Sequence, residues 1–314
     1  MNSAFTLHSL PGYRGEQQAR ALLDDILNDA VTHRQLYPSA STLRGFSQHS
    51  NRHQQQFTVQ TDAGAFFIKC FEEASYAPFA AEQKSLLTMM ATHTIAVCAP
   101  LASGTLERHG LAPMSYLILQ HIPLAVHGDW FSAGQQLAQL HKHTSDKGYG
   151  FEGTTWCGET PQDNRWRDNW ADFFLQQRLQ PQFSRLADQG VRIARQQQAL
   201  EAAYRLLREH QPDASLLHGD LWSGNIGFNP DRDLSYPVLF DPASYYGDAE
   251  ADLAMTELFG RFPKSFYDGY QSITAIDDGY RQRAGIYQLY HLLNHALMYG
   301  GSYVAQAESL IRQL

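Results

Sequence analysis

Predicted strands and predicted helices occupy different parts of this chain. Residues 57–59 and 65–69 flank a turn that contains Gly64, a pattern typical of a β-hairpin, and residues 115–122 form another apolar strand. Beyond residue 123 the apolar side chains recur three and four positions apart, which is the spacing of amphipathic helices. Because strands and helices are segregated rather than alternating, the sequence predicts an α+β fold.

The same order predicts the domain boundaries. A chain of 314 residues is long enough for two lobes that each bury a core. We expect a β-rich N-terminal lobe with flanking helices over residues 1–119, a hinge at 120–123, and a mainly helical C-terminal lobe over 124–314. Helices are predicted over residues 17–37, 79–92, 130–143, 165–180, 193–210 and 281–314, the last with a break at Gly300 and Gly301.

Charge and apolar patterning restrict the partners. The net charge is −8 and the pI is near 5.9, which argues against a protein that neutralises nucleic-acid phosphates. The first residues lack the basic and apolar parts of a signal peptide, and the apolar window 86–101 is interrupted by polar residues and Pro100. We therefore expect a cytoplasmic protein, a monomer or weak homodimer, with no nucleic-acid or membrane partner.

Cysteines and histidines give no local metal motif. The three cysteines lack C-x-x-C spacing, so neither a disulfide framework nor a zinc site is predicted. His291 and His295 lie four residues apart on a predicted helix, but the Glu of H-E-x-x-H and a third clustered ligand are missing from this stretch. We expect packing or hydrogen-bonding roles for both histidines.

The most specific motif is His218-x-Asp220-x-x-x-x-Asn225, in the stretch LLHGDLWSGNIGF. Its spacing is that of the catalytic loop of protein kinases, in which the Asp accepts or orients the proton of the attacking hydroxyl and the Asn gives an oxygen to Mg²⁺. A polar loop between two strands is the alternative for each residue alone. The ordered set favours phosphoryl transfer with Asp220 as the catalytic base.

The segment after Asn225 predicts a metal site. Residues 226–228 and 237–240 are mostly apolar and flank a turn rich in Asn, Pro and Asp, which indicates a β-hairpin. Such a hairpin returns Asp241 to the neighbourhood of Asn225. Because Mg²⁺ takes few protein oxygens and keeps several waters, Asn225 and Asp241 are the predicted metal ligands.

A kinase also needs a cation on the ATP phosphates and a carboxylate that holds this cation in place. Lys69 ends a predicted strand and Glu82 lies in the helix that follows, so these two residues are the predicted pair. Backbone groups of Gln120 and Ile122 are expected to receive the adenine between the two lobes.

The expected phosphate-covering loop departs from the usual pattern. Residues 44–51 read RGFSQHSN and contain a single glycine. Backbone amides from Ser47 to Ser50 are the candidates for phosphate contact in this segment.

Longer stretches resemble one kinase family. LLHGDLWSGN (216–225), FDPASYYGDAEADLAMTELFG (240–260), GYGFEGTTWCGETPQ (148–162) and LYHLLNHALMYGGSY (289–303) resemble the fructosamine kinase, or ketosamine 3-kinase, family. Aminoglycoside phosphotransferases and choline kinases are more distant relatives with the same H-x-D-x-x-x-x-N core. The similarity runs from about Lys69 to the C-terminus and is faint before it, where the phosphate-covering segment departs from the family.

The resemblance implies a protein-kinase-like bilobal fold and ATP-Mg²⁺-dependent phosphorylation of a sugar hydroxyl on a free or protein-bound ketosamine, in protein deglycation repair. Carried over, Asp220 is the base, Asn225 and Asp241 are the metal ligands, and Lys69 with Glu82 holds the phosphates. Trp222 either lines the sugar side or packs the catalytic loop. The alternatives are an aminoglycoside or other amino-sugar phosphotransferase, and an inactive nucleotide-binding regulator; the filled catalytic positions argue against the regulator.

Overall fold

The structure is a computed structural model that describes residues 15–49, 54–230 and 236–314. The chain forms two compact units. The first contains the described residues up to Gln83 and Cys98–Ile122, and the second contains Lys84–Val97 and Pro123–Leu314. The N-terminal lobe expected over residues 1–119 thus includes a stretch, 84–97, that groups with the second unit.

The first unit is built on a five-stranded antiparallel sheet with the spatial order β1-β2-β3-β6-β5. Its strands are β1 (Leu43–His49), β2 (Gln55–Thr61), β3 (Gly64–Phe71), β5 (Pro100–Leu106) and β6 (Met114–Gln120), and its helices are α1 (Glu16–Thr32) and the first part of α2 (Ala77–Met90). The predicted β2–β3 hairpin and the predicted strand near residue 115 are confirmed. Strands β1 and β5 were not predicted.

Helix α1 covers one part of this sheet with an apolar face. Leu23, Ile26, Leu27 and Ala30 are fully buried, and their spacing of three, one and three residues places them on one side of the helix. Burying each Leu or Ile is worth about 1.5–3 kcal/mol. The hydroxyl of Tyr116 on β6 donates a hydrogen bond of 2.6 Å to Asp29 and so ties the last turn of α1 to the sheet.

The second unit is mainly helical and carries short strand pairs. Its helices are the end of α2, α3 (Trp130–His141), α4 (Trp170–Phe174), α5 (Gln180–Asp188), α6 (Gln196–Leu207), α7 (Ala249–Leu258), α8 (Lys264–Gln271), α9 (Tyr280–Tyr299) and α10 (Ser302–Ile311). Its strands are β4 (Ala96–Val97), β7 (Thr155–Cys157), β8 (Thr160–Gln162), β9 (Ser215–Leu216), β10 (Ile226–Asn229), β11 (Tyr236–Leu239) and β12 (Tyr246–Gly247). The predicted β10–β11 hairpin is confirmed, and the break between α9 and α10 falls at Gly300 and Gly301 as expected.

The helix predicted over residues 165–180 is not continuous. It begins at Trp170, because the side chain of Asn169 caps the helix by accepting a hydrogen bond of 3.0 Å from the N–H of Asp172. Residues 175–179 then form one turn of π-helix before α5 begins. A π turn adds a residue and rotates the side chains that follow, which a regular helical period does not predict.

This π turn carries Arg178, which is fully buried. The guanidinium lies 4.6 Å from the ring centre of Phe173 and 4.1 Å from that of Tyr245, and donates to the carbonyl of Asp163 (2.8 Å) and the side-chain oxygen of Asn164 (2.6 Å). Residues 163 and 164 directly follow β8. Arg178 therefore anchors the β7–β8 hairpin to the helical core.

Across the described parts of the chain, we find no helix with the length and apolar character that a membrane crossing needs.

Candidate active site

The predicted catalytic loop connects β9 to β10, and a close contact between main chains shapes it. Gly219 has a φ of +84°, and a Cβ atom there would lie 2.2 Å from the carbonyl oxygen of Ala243. Only glycine satisfies both conditions. The N–H of Ala243 donates 2.9 Å to the carbonyl of His218, so the loop and the segment after β11 are held together at this point.

Asp252, on α7, supports the loop from behind. Its carboxylate accepts hydrogen bonds from the backbone N–H groups of His218 (2.7 Å) and Gly219 (2.9 Å) and lies 3.2 Å from Nε2 of His141. Burial alone would raise the pKa of this carboxyl, but the contacts with His141, His218 and the Gly219 N–H outweigh burial and lower the pKa. Asp252 was not predicted from the sequence.

The buried ring of His218 links the catalytic loop to the segment that follows β11. Its Nδ1 lies 3.2 Å from the N–H of Asp220, and its Nε2 lies 3.0 Å from the carbonyl of Phe240. An N–H donor on one side and a carbonyl acceptor on the other fit a neutral ring that is protonated at Nε2. Burial lowers the pKa of His218, which agrees with a neutral ring. His218 thereby orients the backbone of Asp220.

Asp220 and Asn225 contact each other. The Asn225 amide nitrogen donates to the backbone oxygen of Asp220 (2.8 Å) and to its Oδ2 (3.2 Å), while Oδ1 is buried and accepts no hydrogen bond from the described residues. Burial, followed by the negative charge of Asp241, raises the pKa of Asp220 to about 7. A carboxyl with a pKa near 7 has the proton affinity that a general base needs at neutral pH.

The hairpin brings Asp241 to this loop, where the sequence predicts it. Ile226 pairs with Leu239 across β10 and β11, and the N–H of Phe240 donates 3.1 Å to the backbone oxygen of Asn225. Asp241 has a φ of +54°, in the left-handed region that few non-glycine residues adopt. Such outliers are concentrated at functional sites, where surrounding structure holds them in place.

In the first unit, Lys69 and Glu82 form the predicted ion pair. Lys69 lies at the centre of β3–β6 pairing, opposite Leu117, and its Nζ is 2.7 Å from Oε1 of Glu82 on α2. The lysine is only 2% exposed, so a charged partner is required to keep it ionised there.

The remaining predicted nucleotide contacts lie in β1 and at the end of β6. Ser47 lies within β1, where it pairs with Thr58, rather than in a loop. Ser50 falls outside the described residues. The N–H of Gln120 donates 2.8 Å to the carbonyl of Ala99, and Ile122 follows the end of β6.

Trp222 belongs to an aromatic cluster beside the catalytic loop, which we call the aromatic cluster throughout. Its other members are Phe259, His295, Tyr299 and Tyr303. Ring centres are 6.3 Å apart for Trp222 and Phe259, and 4.5 Å apart for Phe259 and His295. Trp222 is 36% exposed and Tyr299 is 46% exposed, so part of the cluster faces solvent. The cluster was not predicted, although the spacing of four residues from His295 to Tyr299 to Tyr303 is a sequence signal for it.

Comparison with known sequences identifies the relatives of this chain. The sequence profile of the family described as Fructosamine kinase matches residues 34–314. A Synechocystis protein described as a probable ketoamine kinase is 40% identical over 250 residues, which cover 79% of this chain and 82% of that protein. A chloroplastic protein-ribulosamine 3-kinase of Arabidopsis thaliana is 37% identical over 265 residues, which cover 80% of this chain and 76% of that protein.

Solved structures agree with the sequence matches. A Haemophilus somnus 129PT protein, provisionally assigned as a fructosamine-3-kinase, has 28% identity and a TM-score of 0.79, over 86% of this chain and 91% of that chain. An aminoglycoside phosphotransferase has 14% identity and a TM-score of 0.59, over 95% of this chain and 99% of that chain, and shares the fold alone. These likenesses confirm the predicted α+β, protein-kinase-like fold. The chain belongs to the fructosamine kinase family and is therefore an ATP-dependent phosphotransferase.

Proposed function

We propose that this enzyme transfers the γ-phosphoryl group of ATP to a sugar hydroxyl of a ketosamine, with Asp220 as the base. The observation that carries the proposal is the Asp220–Asn225 contact, which holds a carboxylate with a raised pKa beside an amide at the spacing of a kinase catalytic loop. Family membership supports the acceptor class, since the relatives are described as ketoamine and ribulosamine kinases.

The residues present fit a magnesium ion. The Asn225 amide nitrogen is committed to Asp220, so the amide oxygen points away from that contact and accepts no hydrogen bond from the described residues. A side-chain amide oxygen and the Asp241 carboxylate are hard donors of the kind that Mg²⁺ takes alongside phosphate oxygens. Bound there, Mg²⁺ would neutralise charge on the transferring phosphoryl group.

Asp220 receives the proton of the acceptor hydroxyl in this proposal. The proton passes to Oδ2, the oxygen on the Asn225 side, as the hydroxyl oxygen attacks phosphorus and ADP departs. His218 and Asp252 contribute by fixing the backbone of the loop, so that the carboxylate keeps one orientation. They act as positioning residues and touch no reacting atom.

We propose that the nucleotide is bound by Lys69, Glu82 and Ile122. A lysine that is buried and paired with a helix glutamate is the arrangement by which kinases hold the ATP phosphates. Ile122 is proposed to contact the adenine ring through its backbone. The backbone of Ser47, in β1, is proposed to contact the phosphates, and the backbone of Gln120, whose N–H donates to Ala99, is proposed to contact the adenine with Ile122.

The aromatic cluster supports a ketosamine acceptor. The amine of a ketosamine is a secondary ammonium near neutral pH, and aromatic faces attract such cations by about 0.5–2 kcal/mol. Trp222 and Tyr299 present partly exposed rings beside the catalytic loop, where the Trp222 face also suits the C–H surface of a sugar. No observation specifically favours an aminoglycoside, because that likeness is one of fold alone.

The fate of the product tests the proposal. Phosphate placed on carbon 3 of a ketosamine sits on the carbon next to the carbonyl at carbon 2 and is β to carbon 1, which can lose a proton. Enolisation toward carbon 1 then expels phosphate, and hydrolysis of the resulting imine frees the amine and a dicarbonyl. An aminoglycoside phosphate lacks that carbonyl and persists.

The experiment incubates enzyme, ATP and Mg²⁺ with the ribulosamine of a lysine derivative, removes the enzyme, and follows free amine and inorganic phosphate. We expect both to appear together and slowly. A reaction without ATP is the control, and kanamycin-type and fructosamine acceptors are run in parallel. A stable phosphorylated product, or turnover of aminoglycosides only, would overturn the proposal.

A further inference from the structure

A second set of side chains lies against the catalytic carboxylate, on the face opposite Asn225. Cys157, at the end of β7, and His291, on α9, both face Asp220. Nδ1 of His291 is 3.7 Å from Oδ1 of Asp220 and 4.0 Å from Sγ of Cys157, and the three donor atoms lie within 4.8 Å of one another. Cys157 is a free thiol, 2% exposed, and His291 is 5% exposed.

The Cys157 thiol contacts the Asn294 side chain and Asp220, while the Asp220 and His291 atoms of this set have no strong contact outside it. Oδ1 of Asp220 is buried and accepts no hydrogen bond from the described residues. Nδ1 of His291 has only the weak contact with the Cys157 sulfur and the Asp220 oxygen. Its soft and hard donors come from three distant segments, so no local sequence motif predicts the set.

Another cluster of histidine and carboxylate side chains is already hydrogen-bonded to its neighbours. His210, Asp248 and Glu250 also lie within 4.8 Å of one another. There, however, Arg283 donates two hydrogen bonds to Glu250 (2.8 and 2.7 Å), and Asp248 accepts from the Tyr287 hydroxyl and from the Glu250 N–H. That cluster is a satisfied structural network, whereas the set around Asp220 is not.

The distances suit a tetrahedral transition metal. Zinc binds cysteine sulfur at about 2.3 Å, and histidine nitrogen and carboxylate oxygen at about 2.1 Å, so the ligand atoms of a tetrahedral site are about 3.4–3.6 Å apart. The observed 3.7 and 4.0 Å would contract by about 0.3 and 0.4 Å, and the Cys157 sulfur and the Asp220 oxygen, which lie within 4.8 Å of each other, would also have to approach. Three protein ligands leave a fourth position for water.

We propose that Cys157, Asp220 and His291 form a binding site for Zn²⁺ or a similar transition metal, and that metal bound there inhibits the enzyme. On binding, the Cys157 S–H bond breaks, the sulfur lone pair forms the metal–sulfur bond, and the proton leaves to solvent. The metal occupies Oδ1 of Asp220 and withdraws electron density from the carboxylate. Binding is independent of the proposed function, and only the inhibition rests on Asp220 as the base.

Binding is tested on the full chain, without nucleotide or Mg²⁺, after treatment with a chelator that is then removed. Zn²⁺ is titrated calorimetrically, and Co²⁺ is used as a spectroscopic probe. We expect one ion per chain and a near-ultraviolet band from thiolate-to-Co²⁺ charge transfer. Cys157→Ser should weaken Zn²⁺ binding at least about 10-fold and abolish the band. Cys98→Ser, the same change at another buried cysteine, is the control and should leave both unchanged.

Two outcomes would contradict the metal site. No charge-transfer band in the unaltered protein, or equal Zn²⁺ affinity in the unaltered protein and folded Cys157→Ser, overturns the site. His291→Gln provides a second variant if Cys157→Ser fails to fold, with the same expected loss of affinity.

Inhibition is then measured as kcat over a range of free Zn²⁺ concentrations. The kcat of each variant is divided by the value for the same variant without metal. Half-inhibition should need at least about 10-fold more Zn²⁺ in Cys157→Ser than in Cys98→Ser. Binding at this site without any inhibition would refute the inhibitory role, and with it Asp220 as the base, while leaving the metal site standing.

Discussion

The carboxylate of Asp252 accepts a hydrogen bond of 2.7 Å from the backbone N–H of His218, which lies 34 positions earlier in the chain. The same carboxylate holds Gly219 and contacts His141, and it is only 1% exposed. A buried anion therefore fixes the entry to the catalytic loop, and Asp220 follows two residues later.

Asp252→Asn should lower both the stability of the protein and its turnover rate. The amide can keep one acceptor, but its NH₂ group would face an N–H donor, and an unmatched buried polar group costs about 1–3 kcal/mol. We expect a lower free energy of unfolding in urea and a lower kcat. Asp268→Asn, on the exposed face of α8, is the matched control. If Asp252→Asn matches the control in both measurements, the support from Asp252 is not what orients the loop.

Asp220→Asn should lower turnover by roughly 10²–10⁴-fold while nucleotide binding is retained, because the amide keeps the shape but loses the proton acceptor. Single-turnover rates with the ribulosamine and the Kd of ADP by calorimetry measure the two effects separately. Turnover within threefold of the unaltered enzyme would remove Asp220 from the role of base.

The raised pKa of Asp220 also predicts how stability depends on pH. The folded carboxyl has a pKa of about 7, above the ordinary value of 3.8, so the folded state binds more protons than the unfolded state between these values. Stability therefore falls as pH rises through this window, and activity rises as the base deprotonates. Asp220→Asn removes the titration.

As pH rises from 5 to 8, the Tm of Asp220→Asn minus the Tm of the unaltered protein should increase by at least about 2 °C. Thermal scans of nucleotide-free protein at both pH values provide the test, with Asp268→Asn again as control. Parallel pH curves for Asp220→Asn and the unaltered protein would contradict a pKa near 7.

Asp241→Ala should abolish the Mg²⁺-dependent part of nucleotide protection against heat. Ligand that binds only the folded state raises Tm in proportion to its binding free energy, and Asp241 is the proposed charged ligand of the ion. The increase in Tm on adding Mg²⁺ to ADP is compared in the two proteins. An equal increase in both would assign the metal to another carboxylate.

Glu82→Gln should weaken ATP binding by roughly 10-fold or more, because Lys69 stays buried without a full counter-charge and its position on the phosphates is no longer fixed. The expected signature is a higher KM for ATP with an unchanged KM for the ketosamine. Glu72→Gln, in the same unit with a half-exposed side chain, is the control. A rise in both KM values would indicate a general distortion instead.

Much of the fold and of the candidate site could be predicted because the sequence signals for them are local. The β2–β3 and β10–β11 hairpins follow from apolar runs around turn residues, and the position of Asp241 beside Asn225 follows from the second of them. Strand β1 was not predicted because its polar residues Arg44, Ser47 and Gln48 hide the alternation, and only Leu43 of the strand is buried.

The rest depends on contacts between distant segments. Asp252, Cys157 and His291 reach the catalytic loop from a helix, a strand end and another helix, and no spacing within one element reveals this. The π turn at residues 175–179 was also unpredictable from a period of 3.6, although it is what buries Arg178.

The close approach of Gly219 to Ala243 has a consequence for how such an enzyme can diversify. Position 219 tolerates no side chain, and the loop is held there by main-chain atoms. Trp222 and Tyr299, in contrast, present partly exposed rings, and the Trp222 ring contacts the loop through a side chain, packed against Gly224. Under natural drift, or in a mutagenic library, we therefore expect position 219 to remain glycine while the exposed ring of Tyr299 changes more readily. If the aromatic cluster lines the acceptor as proposed, the range of accepted sugars can then widen or narrow while the chemical step is inherited intact.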